Sequence, residues 1–266
     1  MGYRAFEPEG CFAVEIDGKL AGTAITLRYD ASLGWIGMVL VHPDHRRHGL
    51  GTQLLRRSID YLQARGAASI KLDATPMGRK VYVPLGFQDE YEVTRWEGMT
   101  PLGGARSPSA LGPTAFGPEN PRCPARSEIA LHLINPGLVE LDAAAFGVRR
   151  PQVLSALNAR NPELCFMTGD QLDGYLIARQ GREAIQVGPW VARDAACAVR
   201  LWAAFCRAAP ARRVFLDIPA GNPAARELLV SAGFRIQRSF LRMYLGNPGP
   251  AGLPSLIFGT SGAEKG

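Results

Sequence analysis

The sequence contains few cysteines, no long apolar run and little lysine. Five cysteines are spread over 266 residues and no two have C-x-x-C spacing, which excludes a zinc knuckle and a redox dithiol. Such scattered thiols indicate a reduced, cytoplasmic setting. No apolar run approaches the ~20 residues of a membrane span, and the first ten residues lack the apolar core of a signal peptide. We therefore expect a soluble protein with no membrane partner.

The positive charge of the chain comes almost wholly from arginine. The net charge is +6 and the pI about 9.3, which favours an anionic ligand such as a nucleotide cofactor or nucleic acid; a base composition that encodes arginine freely is the alternative. Trp190, Trp202 and the basic residues form no interleaved stripe, so we expect no nucleic-acid partner. His42, His45 and His48 bracket a proline in a loop, which favours a solvated or phosphate-facing role over a metal site.

A segment rich in proline and glycine divides the chain. Residues 101–127 contain six prolines and four glycines without helical or strand periodicity, and this predicts a linker. A lid over a site is the alternative. The linker separates a first domain, residues 1–100, from a second domain, residues 128–266. An apolar content of 47% is enough for both domains to build a core.

The two halves repeat one order of elements. In the first half, alternation, turn and helix-stop signals predict strands at 11–16, 19–27, 35–41, 69–73 and 91–96 and helices at 50–65 and 78–85. In the second half they predict strands at 164–168, 174–178, 184–191, 214–218 and 240–245 and helices at 138–146, 151–158, 195–208 and 224–231.

Three short matches occur in the same order in both halves. Leu72-Asp73 matches Leu216-Asp217, Gly86-Phe87 matches Gly233-Phe234, and Arg95 and Arg242 each follow that phenylalanine by eight residues. A glycine followed by phenylalanine is common after a helix, but three matches in one order favour an internal duplication of an α+β unit over chance.

A loop that contains arginine and glycine joins the third strand to the first helix. The sequence Arg46-x-x-Gly49-x-Gly51 stands there, where glycines let the main chain approach a phosphate and point N–H groups at it. The helix N-terminus adds partial positive charge, so the loop predicts a pyrophosphate site. A dinucleotide fingerprint is a weak alternative, because Leu54 replaces its third glycine. After Asp194 the second half enters its helix directly, so only one such site is expected.

The first half resembles an acetyl-CoA-dependent N-acetyltransferase of the GNAT superfamily. The loop motif within residues 39–55 matches the family pattern R/Q-x-x-G-x-G/A, and Tyr82-x-x-x-Gly86-Phe87 matches a downstream element. The second half resembles the degenerate acetyltransferase-like domain of tandem bacterial members, so the resemblance covers roughly residues 11–99 and 128–262. It implies a mixed αβ (α+β) fold of two tandem units, each with a mixed, mostly antiparallel sheet flanked by helices.

The resemblance implies acetyl-CoA as the cosubstrate and no metal. The third strand should splay from the 69–73 strand, so that the main chain of Val39, Leu40 and Val41 pairs with the pantetheine arm as an added strand. The pyrophosphate would be bound by consecutive residues of the loop and helix start: Arg46, Arg47, His48, Gly49, Leu50, Gly51 and Thr52.

Tyr82 is the candidate general acid, because a phenol pKa of about 10 is close to that of the leaving alkyl thiol. Packing on the sheet is its alternative role, and Leu229 at the matching place in the second half has no proton to donate. A general base is less evident, since the third strand carries no carboxylate. Asp73, at a strand end, is the candidate base or else a structural cap, and Glu90 and Glu92 are weaker candidates.

The first half departs from the family at its N-terminus. Only ten residues precede Cys11, where the family normally has a strand and two helices that line the acceptor side. Three explanations stay open: a misassigned start, a gap filled by the second domain or by a second copy in a homodimer, and a decayed enzyme. We expect transfer of an acetyl group from acetyl-CoA to a primary amine of a small molecule or peptide. A non-catalytic acyl-CoA-binding or sensor protein is the alternative.

Overall fold

The computed structural model describes residues 6–30, 32–102, 129–130, 134–168 and 172–266. The first half contains strands β1 (Cys11–Ile16), β2 (Lys19–Arg28), β3 (Leu33–Val41), β4 (Ser69–Ala74) and β5 (Gln88–Met99) and helices α1 (Leu50–Ala64) and α2 (Pro76–Tyr82). The second half contains strands β6 (Ile129–Ala130), β7 (Cys165–Met167), β8 (Gly174–Gln180), β9 (Ile185–Ala192), β10 (Arg213–Pro219), β11 (Arg235–Gly246) and β12 (Ile257–Gly259) and helices α3 (Pro136–Phe146), α4 (Pro151–Asn158), α5 (Ala195–Ala208) and α6 (Pro223–Ser231). Every strand and helix predicted from the sequence is present, whereas β6 and β12 were not predicted.

The described strands form one continuous sheet in which the two halves exchange a strand. The strand order is β1-β2-β3-β4-β11-β5-β10-β9-β8-β7-β6, with β12 paired to β9. Strand β11 of the second half lies between β4 and β5, and β5 of the first half lies between β11 and β10. The β3–β4 and β9–β10 pairs are parallel and the others antiparallel. The prediction of a mixed, mostly antiparallel sheet flanked by helices is confirmed, but the sequence did not reveal that the sheets of the two halves merge.

Two buried ion pairs link each exchanged strand to a neighbouring strand of the other half. Arg242 of β11 contacts Asp73 of β4 through two hydrogen bonds, from Nε to Oδ1 at 2.9 Å and from Nη2 to Oδ2 at 3.1 Å. Arg95 of β5 contacts Asp217 of β10 in the same way, at 2.6 and 2.7 Å. These are the residues that repeat in the sequence, and the aspartate of each half meets the arginine of the other. A guanidinium fork satisfies both carboxylate oxygens in one geometry, which favours this strand register over its neighbours.

Helices cover both faces of the second half of the sheet. α5 and α6 pack on the face of β8–β10 that carries Leu176 and Leu216, and α3 and α4 pack on the opposite face, against Tyr175 and Ile177. In the first half, α1 and α2 pack on the face that carries Ile36. In the part of the chain that the structure describes, none of these helices is both long and apolar enough to span a membrane.

We call the side of β2 and β3 opposite α1 the open face, since neither α1 nor α2 packs on it. The second half covers this face. Its side chains Leu27, Leu33 and Trp35 pack with Phe146 and Val148, from the end of α3 and the loop that follows. The corresponding face of the second half carries α3 and α4. The second half therefore supplies the side chains that cover this face of the first half.

The predicted division of the chain lies mostly outside the described residues. Of the linker predicted at 101–127, only residues 101 and 102 are described. The domain boundaries at 1–100 and 128–266 therefore stay a prediction. What the structure adds is that β5, at the end of the first half, pairs on both sides with strands of the second half.

The substitution Arg242→Met tests the ion pair between the halves. The Asp73 side chain is fully buried, so removal of its partner leaves a buried charge, and we expect unfolding to become easier by about 3–5 kcal/mol. Urea denaturation followed by circular dichroism measures this change. The matched control is Arg79→Met, which breaks the exposed pair with Asp89 and should have little effect. Equal losses for the two variants would contradict the proposed role of Arg242.

Candidate functional site

The first parallel strand pair separates at its C-terminal end. β3 and β4 pair only where Leu33 to Trp35 stand opposite Ser69 to Lys71, although β3 continues to Val41 and β4 to Ala74. A bulge on β3 begins at Met38, whose φ is +53°. The predicted splay between these strands is confirmed, and it leaves a cleft between the ends of β3 and β4.

The main chain beyond the bulge faces this cleft. The His42 amide donates to the Ala21 carbonyl at 2.8 Å, and Leu40 pairs with Thr23 on the same β2 edge. Because main-chain groups alternate sides along a strand, those of Val39 and Val41 point the other way, into the cleft. The Val41 carbonyl already accepts a hydrogen bond from Arg46 Nε at 3.1 Å. The amides at these two positions are thus arranged as the edge of a strand without a neighbour, which is what an added extended ligand requires.

The loop before α1 presents a row of unpaired amides. Arg47 and Gly49 adopt positive φ values of +65° and +80°, a conformation that suits glycine and that curves the chain so that successive N–H groups converge. None of the amides of residues 47–52 donates to another described group. Gly49 is the N-cap of α1 and has no side chain to cap it, and the first turn contains no acidic residue. The result is a concave N–H surface at a helix N-terminus, which suits an anion.

The side chains around this surface leave it accessible. Arg46, Arg47 and His48 are exposed. A Cβ added at Gly51 would meet only Val41 Cγ2, at 3.7 Å, so this stretch of main chain stands clear of other groups. The structure brings together the loop residues predicted for the pyrophosphate, including Leu50 and Thr52. That they contact a coenzyme stays a prediction.

Tyr82 ends the helix that follows β4. The helix begins at Pro76 because Thr75 caps it, accepting a hydrogen bond from the Gly78 amide at 3.1 Å. The Tyr82 ring lies over Gly78, where an added Cβ would stand 3.0 Å from the phenol oxygen, and packs near Phe87. Burial raises the pKa of the Tyr82 phenol above its ordinary value of 10. The hydroxyl makes no hydrogen bond to another described residue and stays protonated at neutral pH, as a general acid must.

Two of the three carboxylates considered as bases, Asp73 and Glu90, are engaged in ion pairs, whereas Glu92 is exposed on β5. The Asp73 side chain has no exposed surface, and both its oxygens accept hydrogen bonds from Arg242. Burial raises the pKa of the Asp73 carboxyl, and the Arg242 guanidinium opposes this shift. Glu90 accepts a hydrogen bond from Lys71 at 2.8 Å. Of the two roles that the sequence left open for Asp73, this geometry favours the structural one, and we do not retain Asp73 as a base.

The second half contains a matching cleft, which its own chain fills. β9 and β10 pair in parallel only where Ile185 to Val187 stand opposite Val214 to Leu216. Beyond that point β12 lies in the gap, paired with β9, and the amide of Thr260 donates to the Asp217 carbonyl at 2.8 Å.

The N-terminus of α5 is also closed. Asp194 caps it, accepting from the Cys197 amide at 2.7 Å. An acidic side chain at this place repels an anion and occupies one of the amides that would bind it. Of the two clefts, only the first has both an open strand edge and an open helix N-terminus.

In the described ranges, no group of three histidine, cysteine, aspartate or glutamate side chains converges as metal ligands would. His42 and His45 lie with ring centres 5.9 Å apart, and His42 stands 3.6 Å from the exposed carboxylate of Asp44.

Two family models match the chain, one in each half. The model of the acetyltransferase (GNAT) family matches residues 2–87, and that of the acetyltransferase (GNAT) domain matches residues 138–259. Together they include both clefts. No curated protein matches the chain.

Several solved structures have a similar fold. A candidate acetyltransferase from Pyrococcus horikoshii is 25% identical, with a TM-score of 0.77, over 99% of this chain and 82% of its own. A GCN5-related N-acetyltransferase from Sphaerobacter thermophilus is 18% identical, with a TM-score of 0.58, over 88% and 79% of the two chains. A tandem GNAT protein from the clavulanic acid biosynthesis pathway is 16% identical, with a TM-score of 0.54, over 90% and 84%. The last two show the fold alone.

The cap at the second cleft can be tested by Asp194→Ala. Loss of the side-chain hydrogen bond to the Cys197 amide should lower the free energy of unfolding by about 1 kcal/mol, within a range of roughly 0.5–2 kcal/mol. Asp194→Asn keeps an acceptor at the same place and should restore most of that stability. Urea unfolding curves measure both. A loss of equal size in the asparagine variant would show that the side chain does not act as a cap.

Proposed function

The chain belongs to the GNAT acetyltransferase family and carries two such domains in tandem, and from this membership we propose that its first half transfers an acetyl group from acetyl-CoA to a primary amine. The observation that carries the proposal is the pairing of an open cleft between β3 and β4 with the unpaired amides of residues 47–52. The first suits the extended amide-bearing pantetheine arm, and the second suits the diphosphate.

We propose that the coenzyme lies along the first half from the strand edge of β3 to the loop before α1. The main chain of Val39 and Val41 offers a strand edge, and Arg46 and Arg47 add positive charge beside the amides. The second half has β12 in its cleft and Asp194 at its helix, so we propose one coenzyme per chain. We further propose that the second half serves the first by covering its open face.

The chemistry requires one proton to be removed and one to be supplied. Bound acetyl-CoA supplies a thioester carbonyl, which an amine nitrogen attacks with loss of the coenzyme thiolate. Tyr82 holds a proton on a phenol oxygen that no described residue engages, and we propose that it passes this proton to the departing sulfur. Asp73 and Glu90 are held in ion pairs and Glu92 is an exposed side chain on β5, so we propose that water takes the proton from the amine. The acceptor is a small-molecule or peptide amine.

Gly51→Glu should abolish binding of acetyl-CoA. The carboxylate would stand among the amides of the α1 N-terminus and repel the diphosphate, so we expect affinity to fall by at least about 100-fold. Isothermal titration calorimetry with acetyl-CoA measures this change. Gly51→Ala is the control, because its Cβ makes an ordinary contact with Val41 and leaves the amides in place. Equal affinities for Gly51→Glu and the wild type would refute the proposed diphosphate site.

Tyr82→Phe should slow turnover and leave binding unchanged. Loss of the proton donor is expected to lower kcat by roughly 10²–10⁴-fold, since the ring still packs and only the hydroxyl is removed. Release of free thiol during incubation with a panel of primary amines measures kcat, and calorimetry measures acetyl-CoA affinity. Tyr244→Phe, which removes an exposed hydroxyl bound to Gln88, is the control. Tight binding of acetyl-CoA by the wild type with no turnover on any amine would favour the acyl-CoA sensor instead.

A further inference from the structure

The chain after β12 enters the interior between the two halves. We call residues 261–266 the strap. Most of its residues are buried. It follows directly on Thr260, whose amide is bound to Asp217, so the strap begins where the second cleft is closed. From there it passes to the open face of the first half.

Side chains from both halves bind the main chain of the strap. Trp35 donates from Nε1 to the Ala263 carbonyl at 3.3 Å, and the Tyr29 hydroxyl donates to the Lys265 carbonyl. From the second half, Arg179 donates from Nη2 to the Ser261 carbonyl at 2.9 Å. These bonds come from β3, from the end of β2 and from β8, so the strap is held at both ends of its course.

The side chains of the strap are directed into the second half. Glu264 accepts from Arg179 at 2.8 Å and from Lys265 at 2.9 Å. Burial works to raise the pKa of Glu264, but Arg179 and Lys265 lower it to about 2. The glutamate is therefore ionised and neutralised within its own cluster. The part of the strap that meets the first half is its main chain.

That main chain lies against the point where the first cleft opens. Gly37 is two residues beyond the last β3–β4 pairing, at Trp35. A Cβ added at Gly37 would stand 2.8 Å from the Glu264 carbonyl oxygen and 3.0 Å from its Cα, so the two main chains are in direct contact. Since Gly37 and Trp35 alternate with Ile36, which packs with α1, this contact is on the open face. The loop before α1 borders the cleft on the opposite side, where α1 packs.

The duplication places the same contact in the second half. In the first half, Trp35 pairs with Lys71, which is two residues before Asp73. In the second half, Gln186 pairs with Phe215, which is two residues before Asp217. Gly188 thus corresponds to Gly37, and a Cβ there would meet the Thr260 carbonyl oxygen at 1.8 Å. One continuous segment closes the equivalent position in both halves. In the second half β12 also fills the cleft, whereas in the first the strap closes one side and leaves the coenzyme side open.

We propose that the strap is the wall that shields the thioester from water on the open face and limits which acceptors reach it. This rests on the proposed function, since it assumes acetyl-CoA in the first cleft. Without a wall, water adds to the thioester carbonyl, the carbon–sulfur bond breaks, and acetate and free coenzyme thiol are released without an amine. An enclosed site suppresses this loss. The strap covers the face of the first half that corresponds to the face covered by α3 and α4 in the second half. It presents main-chain groups, which cannot act as a base to activate water.

The rate of acetyl-CoA hydrolysis without an amine tests the proposal. In Tyr29→Phe the ring still packs against Phe146, but the hydrogen bond to the Lys265 carbonyl is lost. If water enters only when the strap is displaced, this loss should raise thiol release about fivefold. Gly37→Ala, which pushes against the Glu264 main chain without removing any hydrogen-bonding side chain, should raise it as well. Tyr244→Phe loses one hydroxyl on β11 that has no strap contact and should leave the rate unchanged.

The outcomes separate the strap from the proposed function. Faster hydrolysis in both Tyr29→Phe and Gly37→Ala, with acetyl-CoA affinity kept in calorimetry and faster deuterium exchange of the strap amides, supports the wall. Unchanged or slower hydrolysis in these variants with intact affinity overturns it and leaves the proposed function standing. Failure of the wild type to bind acetyl-CoA overturns the proposed function itself.

Discussion

The structure depends on two buried pairs of aspartate and arginine that join one half of the chain to the other. Each half contributes the aspartate of one pair and the arginine of the other. Burying a charge without a partner is energetically costly, and each of these aspartates finds its partner arginine only in the other half. The pairs also hold β4 and β10 against the exchanged strands. Each cleft forms because one strand is held in place this way while its parallel neighbour follows a bulge away from it.

The comparison of the two clefts shows which local features leave one cleft open and fill the other. Both arise from the same short parallel pairing followed by divergence. In one, the helix N-terminus is left bare by Gly49 and the strand edge has no neighbour. In the other, Asp194 covers the helix and β12 covers the edge. A few local changes on a shared scaffold are enough to turn an open cleft into a filled one, in line with the general separation of fold from function.

Local features of the sequence predicted the local part of the site. The spacing of Arg46, Gly49 and Gly51 determines main-chain chemistry within one turn, so the loop and the splay beside it could be anticipated. The role of Asp73 could not be, because its partner Arg242 stands 169 residues away. The strand exchange left no local signal either, since β5 and β11 each have the pattern of an ordinary last strand. The short apolar run at Ile257 and Phe258, flanked by proline and glycine, was the one available sign of β12.

The exchange of strands has a consequence for inheritance. In a protein whose two domains are merely tethered, recombination can replace one domain by that of a relative. Here each domain contains a strand that completes the sheet of its companion, with an arginine that must meet an aspartate there. An incoming domain must carry both the right strand and the right charge. The two repeats are therefore bound to change together, however far their sequences have drifted from the common ancestor that their shared order of elements implies.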